Sequence, residues 1–319
     1  MKLPVLVAFS MLAATAQIRV GIIGTDTSHV PAFTQMMNDP TAKNYIPGVH
    51  VVAAHKGGSP DIEHSISRVD QYANEIATKY GVEIVATIPE LLKKVDVVML
   101  ESVDGRPHLE QVRPVIAAHK PVFIDKPLAA SYDDAIEIAR LANEAHVPWF
   151  SASSLRWSEI TETMKFDDAR SVFTWGPGPL EEHHEKLDLS WYAIHPIEVL
   201  YTLLGPGCEE VSRIETADGD LITGKWKGGR TGAVQTLRPY GPYGAVVFRS
   251  GGKVVESPSK PHTGYEELVK QIVKFFETKQ PPVANSETLE IFAFMDAAER
   301  SQKAGGVPVK LRIVRVDAR

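Results

Sequence analysis

The chain has 319 residues, of which 44% are hydrophobic and 23% charged, and its net charge is −6. This length predicts about two globular domains. The negative charge and the lack of a basic block argue against nucleic acid or an anionic membrane surface as a partner. The single cysteine, Cys208, excludes an internal disulfide and a cysteine-based zinc site, and we expect it to be a buried thiol.

The first segment, MKLPVLVAFSMLAATAQ, has the layout of a secretory signal peptide. Lys2 precedes the apolar stretch 3–14 and the triplet Ala14-Thr15-Ala16. Cleavage after Ala16 would leave 319 − 16 = 303 residues, in the periplasm or outside the cell. A misplaced start codon or an extended first strand would instead leave the protein in the cytoplasm. No other stretch reaches the ~18 apolar residues of a membrane-spanning helix, so we expect no membrane span in the mature chain.

Strand-like runs alternate with helical patterns over residues 17–150. The runs are IRVGIIG, VHVVAAH, EIVAT, DVVMLES, PVFID and PWFSA, and amphipathic stretches such as VDQYANEIATKYG and SYDDAIEIARLANEAH lie between them. This alternation predicts an α/β domain with a doubly wound, Rossmann-type parallel sheet. Ligands of such sheets lie at the carboxyl ends of the strands, so the residues that follow each strand are the candidates for a site.

The pattern changes in residues 151–319. The runs SVFTWG, GAVQTLR, AVVFRS and KVVESP predict strands separated by Gly and Pro turns. Two amphipathic helices are predicted from YEELVKQIVKFFET and SETLEIFAFMDAAERSQKAGG, the second with Ser286 as its N-cap. We expect an α+β domain with an open mixed or antiparallel sheet.

The turn after the first strand, GTDTSH (24–29), departs from the dinucleotide fingerprint G-x-G-x-x-G. Asp26 and His29 stand where glycines would let the backbone approach a pyrophosphate. Thr27 and Ser28 are preferred N-cap residues, so the helix can satisfy its own N–H groups. Asp26 would repel a pyrophosphate, unless its side chain turns inward. The second strand ends in His55 and Lys56 rather than in an acid for the ribose hydroxyls.

Several motifs resemble the Gfo/Idh/MocA family, the group of glucose–fructose oxidoreductase and inositol dehydrogenase. PVFIDKPLAAS (121–131) is similar to the family's Glu-Lys-Pro segment, and His108 with the helix LEQVRPVIAAHK also matches. WYAIHPIEVLYTLLGPG (191–207) resembles the family's histidine helix. The resemblance covers nearly the whole mature chain. It implies a nicotinamide cofactor, a sugar or polyol substrate, and a fold that commonly forms homo-oligomers.

The resemblance and the residue types together nominate the catalytic groups. In the family, the lysine at the position of Lys126 lies beside the nicotinamide and the substrate hydroxyl, and a partly desolvated lysine there could relay a proton. His195 is a candidate general base, and Glu198, three residues later on the same helix face, could support it. Trp191 stands where the family has an acid, which weakens the alcohol-oxidation relay that the family implies.

The remaining candidates concern the cofactor and the substrate. Those expected at the cofactor are Gly24, Thr25, Asp26, Thr27, Ser28, His29, Lys56, His108 and Asp125. Those expected at the substrate are Arg106, whose planar fork could hold a carboxylate or phosphate, His184 and Tyr192. The run EEHHE (181–185) cannot gather its side chains on one side, so we expect a solvated acidic turn rather than a metal site.

These features leave three functions open. One is a sugar or polyol oxidoreductase that uses NAD or NADP, bound either weakly or as a tightly pre-bound cofactor. Another is a redox-neutral carbohydrate enzyme of the lyase or glycosidase type. The third is a sugar-binding protein without catalysis.

Overall fold

The structure, a computed structural model, describes residues 17–314 and 316. The predicted signal peptide (1–16) lies outside them. Within the described residues, no helix is long and apolar enough to cross a membrane.

The first half forms the predicted parallel sheet of six strands. Its strands are β1 (Ile18–Ile23), β2 (Val49–His55), β3 (Glu83–Val85), β4 (Val97–Leu100), β5 (Val122–Asp125) and β6 (Trp149–Ala152). The helices between them are α1 (His29–Asn38), α2 (Glu63–Tyr80), α3 (Ile88–Leu92), α4 (His108–Ala117) and α5 (Tyr132–Glu144). The strand order is β3-β2-β1-β4-β5-β6. The order reverses between β1 and β4, and in such sheets the ligand crevice lies at that point.

Burial on both faces explains why the strands are almost continuously apolar. Every residue of β4, β5 and β6 is buried, as expected for a sheet covered by helices on each side. Helix α8 (Glu266–Thr278), from the second half of the chain, supplies part of this cover. Its Leu268, Ile272 and Phe275 pack in one core with strands β1, β2 and β4. The first core therefore draws on residues well beyond 150.

The second half forms the predicted mixed sheet. Its further elements are α6 (Glu159–Met164), β7 (Ala169–Pro177), α7 (Ile194–Leu204), β8 (Cys208–Thr216), β9 (Gly219–Trp226), β10 (Arg230–Leu237), β11 (Gly244–Arg249), β12 (Val254–Glu256), α9 (Asn285–Lys303) and β13 (Val309–Lys310). The strand order is β12-β11-β7-β10-β9-β8-β13, with β10 parallel to β7 and the other pairs antiparallel. The predicted fold class is thus confirmed.

Some local predictions were wrong or incomplete. Helix α9 begins at Asn285 after the cap position Ala284, so Ser286 lies in the first turn and is not the N-cap. Strands β8 and β9, joined at a tight turn that ends in Gly219, were not predicted. Cys208 is buried as expected, and its burial raises the pKa of the thiol to about 12.

A charged group lies in the core of the second sheet. The Arg213 side chain on β8 is 1% exposed, and its guanidinium donates two hydrogen bonds to Asp188, at 2.8 and 2.6 Å, and one to Asp220, at 2.8 Å. A buried cation is tolerated only when it is paired in this way.

Candidate active site

A cavity of about 340 Å³ opens where the carboxyl ends of the first sheet meet helix α7. Lys126 directly follows β5, His195 lies in the first turn of α7, and both line the cavity. The structure therefore brings these two predicted catalytic residues together. Tyr192, predicted to contact substrate, lies on the same wall, and the Lys126 Nζ atom is 5.6 Å from the centre of its ring.

Burial shifts the pKa values of both groups downward. It lowers the pKa of Lys126, and the nearby carboxylates of Asp125 and Glu198 offset only part of that change. Burial also lowers the pKa of His195 well below its usual value, and the positive charge of Lys126 lowers it further. At neutral pH His195 is therefore a neutral imidazole, and Lys126 is more readily deprotonated than a surface lysine.

A serine hydroxyl sets the tautomer of His195. The Ser153 Oγ atom lies 2.7 Å from His195 Nδ1 and accepts a hydrogen bond from the Leu155 N–H at 3.1 Å. Ser153 is fully buried, and Nδ1 is the one acceptor within reach of its hydroxyl among the described residues. The favoured arrangement therefore has the serine donating to Nδ1 and the ring proton of the neutral histidine on Nε2. His195 thus offers an N–H donor to a molecule in the cavity.

Glu198 does not contact His195, contrary to the prediction. Its carboxylate accepts a hydrogen bond from Ser153 N–H at 2.8 Å and pairs with the Arg156 guanidinium. Arg156 in turn pairs with Glu287 at 2.6 Å. Glu198 therefore positions the serine that holds His195, and it acts on the histidine only through that serine.

His29 and Asp125 form a buried pair at the same cavity. The His29 Nδ1 atom lies 2.5 Å from Asp125 Oδ2, and the second oxygen of Asp125 accepts the Lys126 N–H at 2.8 Å. Burial by itself would raise the pKa of Asp125, but His29 and Lys126 outweigh it and hold that pKa below its usual value. Asp125 is therefore a carboxylate at neutral pH.

Sequence reasoning missed much of the cavity wall. Besides Tyr192, which was predicted, the wall contains the aromatic rings of Trp191, Tyr240, Tyr243 and Tyr265. His64 and Arg68 add basic groups from the first turns of α2. The predicted helix pattern began only at Val69, whereas α2 begins at Glu63, and this extension brings both residues to the cavity. The three tyrosines after residue 239 arrive from distant loops that no local motif marks.

The turn after β1 is packed against its own chain. Gly24 has φ +90°, and a Cβ there would lie 2.3 Å from the Ser102 backbone nitrogen, so only glycine fits. The Thr25 hydroxyl donates to the Val69 carbonyl on α2 at 2.9 Å. Asp26 is fully buried, and its carboxylate accepts hydrogen bonds from Ser65 Oγ at 2.6 Å and from Val103 N–H at 3.0 Å. Asp26 has thus turned inward, the alternative that weakens its repulsion of a pyrophosphate.

The other predicted residues of this turn have different surroundings. Thr27 and Ser28 line the cavity. Ser28 occupies the cap position of α1 without a side-chain hydrogen bond, and Thr27 Oγ1 accepts the His29 N–H at 3.4 Å. The start of α1 could therefore still hold an anion.

Side chains of the loops after β2 and β4 meet in a cluster that we call the Asp104 clamp, formed by Ser59, Asp61, Asp104, Arg106 and His184. In doubly wound folds, these loops flank the groove that holds the adenosine part of a dinucleotide. Ser59, after β2, donates to Asp104, after β4. Arg106 pairs with Asp61 at 2.7 and 2.8 Å and with Asp104 at 2.8 Å. His184 Nε2, from the second half, is 2.9 Å from Asp104. The guanidinium of Arg106 is thus already paired with two carboxylates. The loop after β2 and the loop after β4, which form the two rims of the groove, are hydrogen-bonded to each other.

Four predictions are corrected by these contacts. Arg106 and His184 are bound to Asp104 and do not contact the cavity. Lys56 pairs with Asp70 at the surface, 2.7 Å away, and does not face the groove. His108 is fully buried, with its two ring nitrogens 3.2 and 2.8 Å from the Leu128 and Ser102 carbonyls, so it braces the β4 turn. The run 181–185 includes a short helical turn; Glu182 and Glu185 are exposed, whereas His184 is buried.

A dinucleotide does not fit the residues that line this groove. In doubly wound folds the ribose is held at the end of the second strand and the pyrophosphate at the first turn. Here the loop after β2 is bonded across to the loop after β4, and α2 packs on the first turn.

Glu101, after β4, is fully buried and neither of its carboxyl oxygens has a partner in the described part of the chain. Its burial, with Asp125 and Asp26 nearby, raises its pKa well above the usual value.

The Asp104 clamp predicts a change in acid stability. Burial opposes the charged form of Asp104, but His184, Arg106 and Ser59 outweigh it and lower its pKa. A carboxyl whose pKa is lower in the folded state stabilises the fold above its unfolded pKa of about 3.9, and this stability is lost as the pH falls. We expect Asp104→Asn to cost about 1–3 kcal/mol near pH 7 and less near pH 3. Urea unfolding across this range measures it, with the exposed Asp167→Asn as the control; an equal loss at both pH values contradicts the assignment.

Comparisons with known proteins agree with the fold. Residues 18–153 match the family model GFO_IDH_MocA, described as an oxidoreductase family with an NAD-binding Rossmann fold. No functionally curated protein matches the chain significantly. The predicted nicotinamide cofactor is confirmed as the cofactor of the family.

Solved structures with low sequence identity share the fold over almost the whole chain. GenD2 from gentamicin A biosynthesis, solved with NAD, superposes with a TM-score of 0.74 at 16% identity, covering 93% of this chain and 97% of its own. Myo-inositol dehydrogenase from Lactobacillus casei, solved with NAD(H) and myo-inositol, gives 0.70 at 18% identity, covering 94% and 98%. An oxidoreductase from Agrobacterium radiobacter, solved with NAD+, L-tartaric acid and magnesium, gives 0.68 at 14%, covering 92% and 98%. Residues 18–153 are thus similar to the Gfo/Idh/MocA oxidoreductase family, and the chain shares the fold of these solved structures.

Proposed function

We propose that the crevice catalyses proton transfer on a sugar that carries a carbonyl group and works without an exchangeable dinucleotide. One observation carries this proposal: Lys126, His195 and His29, three groups that can exchange protons, line a single cavity at the strand ends. The pKa values of Lys126 and His195 are both lowered, and shifted pKa values in a cleft are typical of acid–base catalysis.

The size and walls of the cavity favour a sugar. Its volume of about 340 Å³ is near the lower end of the roughly 300–1,000 Å³ of ligand pockets, which suits one sugar ring. The aromatic rings of the wall can pack against the C–H faces of such a ring, while Arg68 and the tyrosine hydroxyls can bind its oxygens.

The reaction we propose is a redox-neutral elimination. A base in the crevice removes a proton from a carbon next to a carbonyl group, and an acid protonates the oxygen that leaves from the neighbouring carbon as water or as an alcohol. One proton is taken and one is given, so no electron acceptor is required. Lys126 is suited to protonate the leaving oxygen, and the Nε2–H of His195 is suited to stabilise the charge that develops on the carbonyl oxygen.

The predicted signal peptide supports the same proposal. A chain exported in the unfolded state would reach a compartment without a pool of free dinucleotide. Because an unfolded chain has no formed binding site, such an enzyme would not bring a dinucleotide with it and would have to work without one.

A second candidate is the sugar or polyol oxidoreductase that the family suggests, with NAD or NADP as cofactor. The match of residues 18–153 to an NAD-binding family favours it, as does Lys126 in the Asp-Lys-Pro segment. This candidate requires the Asp104 clamp to open, because the clamp joins the two rims of the groove.

Dinucleotide binding separates the two candidates. We expect calorimetric titration of NAD or NADP to show no saturable binding up to about 1 mM. A Kd of about 1 mM corresponds to a binding free energy of about −4 kcal/mol, so any binding would be weaker than this. Asp26→Gly is not expected to create binding, because the Asp104 clamp remains closed. Mass spectrometry of the denatured protein should find no bound cofactor. A micromolar affinity, or a dinucleotide that co-purifies, would establish the second candidate instead.

A substrate screen with and without NAD separates the two candidates as well. Keto-sugars, uronic acids and polyols are each incubated with the protein, with and without NAD. The proposal expects an unsaturated sugar, detected by its ultraviolet absorbance, to form without NAD. Reduction of NAD by a polyol would contradict it.

A further inference from the structure

His29 is placed as a reactive group rather than as a helix-forming residue. It stands at the third glycine position of the fingerprint and begins α1, yet its side chain reaches across to Asp125 at the end of β5. Its ring stacks on Phe33, with centroids 4.8 Å apart, and meets the Tyr265 ring edge-on at 4.6 Å. These contacts hold the imidazole in one orientation at the wall of the cavity.

Asp125 determines which nitrogen of His29 is free. A carboxylate can only accept, so the neutral ring must carry its proton on Nδ1 and keep a lone pair on Nε2. No group in the described part of the chain pairs with Nε2. The ring is 7% exposed, and that exposure is toward the cavity it lines.

The two histidines of the cavity are therefore set to opposite tautomers. Ser153 leaves a proton on Nε2 of His195, whereas Asp125 leaves a lone pair on Nε2 of His29. The cavity thus holds one imidazole that donates a hydrogen bond through Nε2, His195, and one that accepts through Nε2, His29. The two differ in the group that is bound to Nδ1.

We infer that His29, positioned by Asp125, is the general base of the crevice. It accepts the substrate proton on Nε2, and its Nδ1–H stays bonded to Asp125, whose negative charge stabilises the imidazolium. His195 is not suited to this role in the tautomer that Ser153 favours, because its Nε2 already carries the ring proton. This inference rests on the proposed catalytic use of the cavity, but the reactivity of His29 can be measured without any substrate.

The test is modification of the intact protein by diethyl pyrocarbonate, followed by peptide mass spectrometry. A neutral imidazole reacts through its free lone pair, so we expect His29 to be modified at least about tenfold faster than His195. Asp125→Asn should slow the reaction of His29 by about tenfold, equivalent to one unit of basicity, and leave the exposed His262 unchanged. Equal rates at His29 and His195 in the folded protein overturn the inference, even if Asp125→Asn fails to fold.

The catalytic role has a separate readout. His29→Asn keeps a donor for Asp125 but lacks the second nitrogen. With the first sugar or polyol found to react, we expect it to lower kcat by roughly 10²–10⁴-fold with a much smaller change in KM. An unchanged kcat removes His29 from the chemistry. A protein that turns over no sugar would refute the proposed function, whereas the modification rates would still decide whether His29 is an activated base.

Discussion

Lys126→Met is expected to lower kcat by roughly 10²–10⁴-fold, the range for loss of a positioned acid or base. Lys126 is half-buried at the cavity, next to Asp125 and close to the Tyr192 ring, and its lowered pKa brings deprotonation closer to neutral pH. Methionine keeps the length and the apolar contacts of the lysine stem but cannot exchange a proton. Steady-state kinetics with the sugar or polyol identified in the screen would measure the loss.

Lys126→Arg tests whether charge alone is sufficient. Arginine keeps a positive charge but does not deprotonate in proteins, so this variant should be nearly as inactive as Lys126→Met. The exposed Lys274→Met is the matched control and should retain full activity. If Lys126→Arg is active, Lys126 serves as a fixed charge and the proton must come from another group.

Arg213→Met is expected to destabilise the protein by about 3–5 kcal/mol, because it leaves the carboxylates of Asp188 and Asp220 without their main buried cation. Few other single changes outside the hydrophobic core should cost as much. Thermal or urea unfolding measures the loss, with Arg300→Met as the control. Arg300 pairs with Asp296 at the surface, where an ion pair contributes about 0–1 kcal/mol.

The difference in the free energy of unfolding between wild type and Arg213→Met should become smaller at acidic pH. Burial opposes ionisation of Asp188, but Arg213 outweighs it and lowers the pKa of that carboxyl. A lowered folded-state pKa stabilises the fold above the unfolded pKa of about 3.9, and protonation removes this contribution as the pH falls. Unfolding curves that stay equally far apart from pH 7 to pH 3 would show that the ion pair is not the cause.

Local patterns in the sequence were sufficient for most of the fold. Buried parallel strands are apolar throughout, and exposed helix faces are not, so periodicity located β1 to β6 and α5. The pattern failed where tertiary contacts override local preference. The first turns of α2 contain charged and polar residues whose helical state depends on packing against the turn after β1.

The candidate site was only half predictable. Lys126 and His195 belong to motifs that a resemblance can locate, and both line the cavity. Arg106, His184 and Lys56 have side chains suited to ligands, but each is bound by a carboxylate 2 to 80 positions away in the chain. Spacing cannot show such pairings. The base that we infer, His29, was visible only as a departure from a glycine, because its partner Asp125 is 96 residues away.

The Asp104 clamp also bears on the order of folding. Its carboxylate joins segments separated by 45 residues on one side and 80 on the other, and closing such long loops costs entropy before any contact forms. The crevice can therefore be completed only after both halves of the chain have largely collapsed. A fragment that ends near residue 150 would contain Lys126 and His29 but not the opposite wall of the cavity. The catalytic site is therefore expected to form at the last stage of folding.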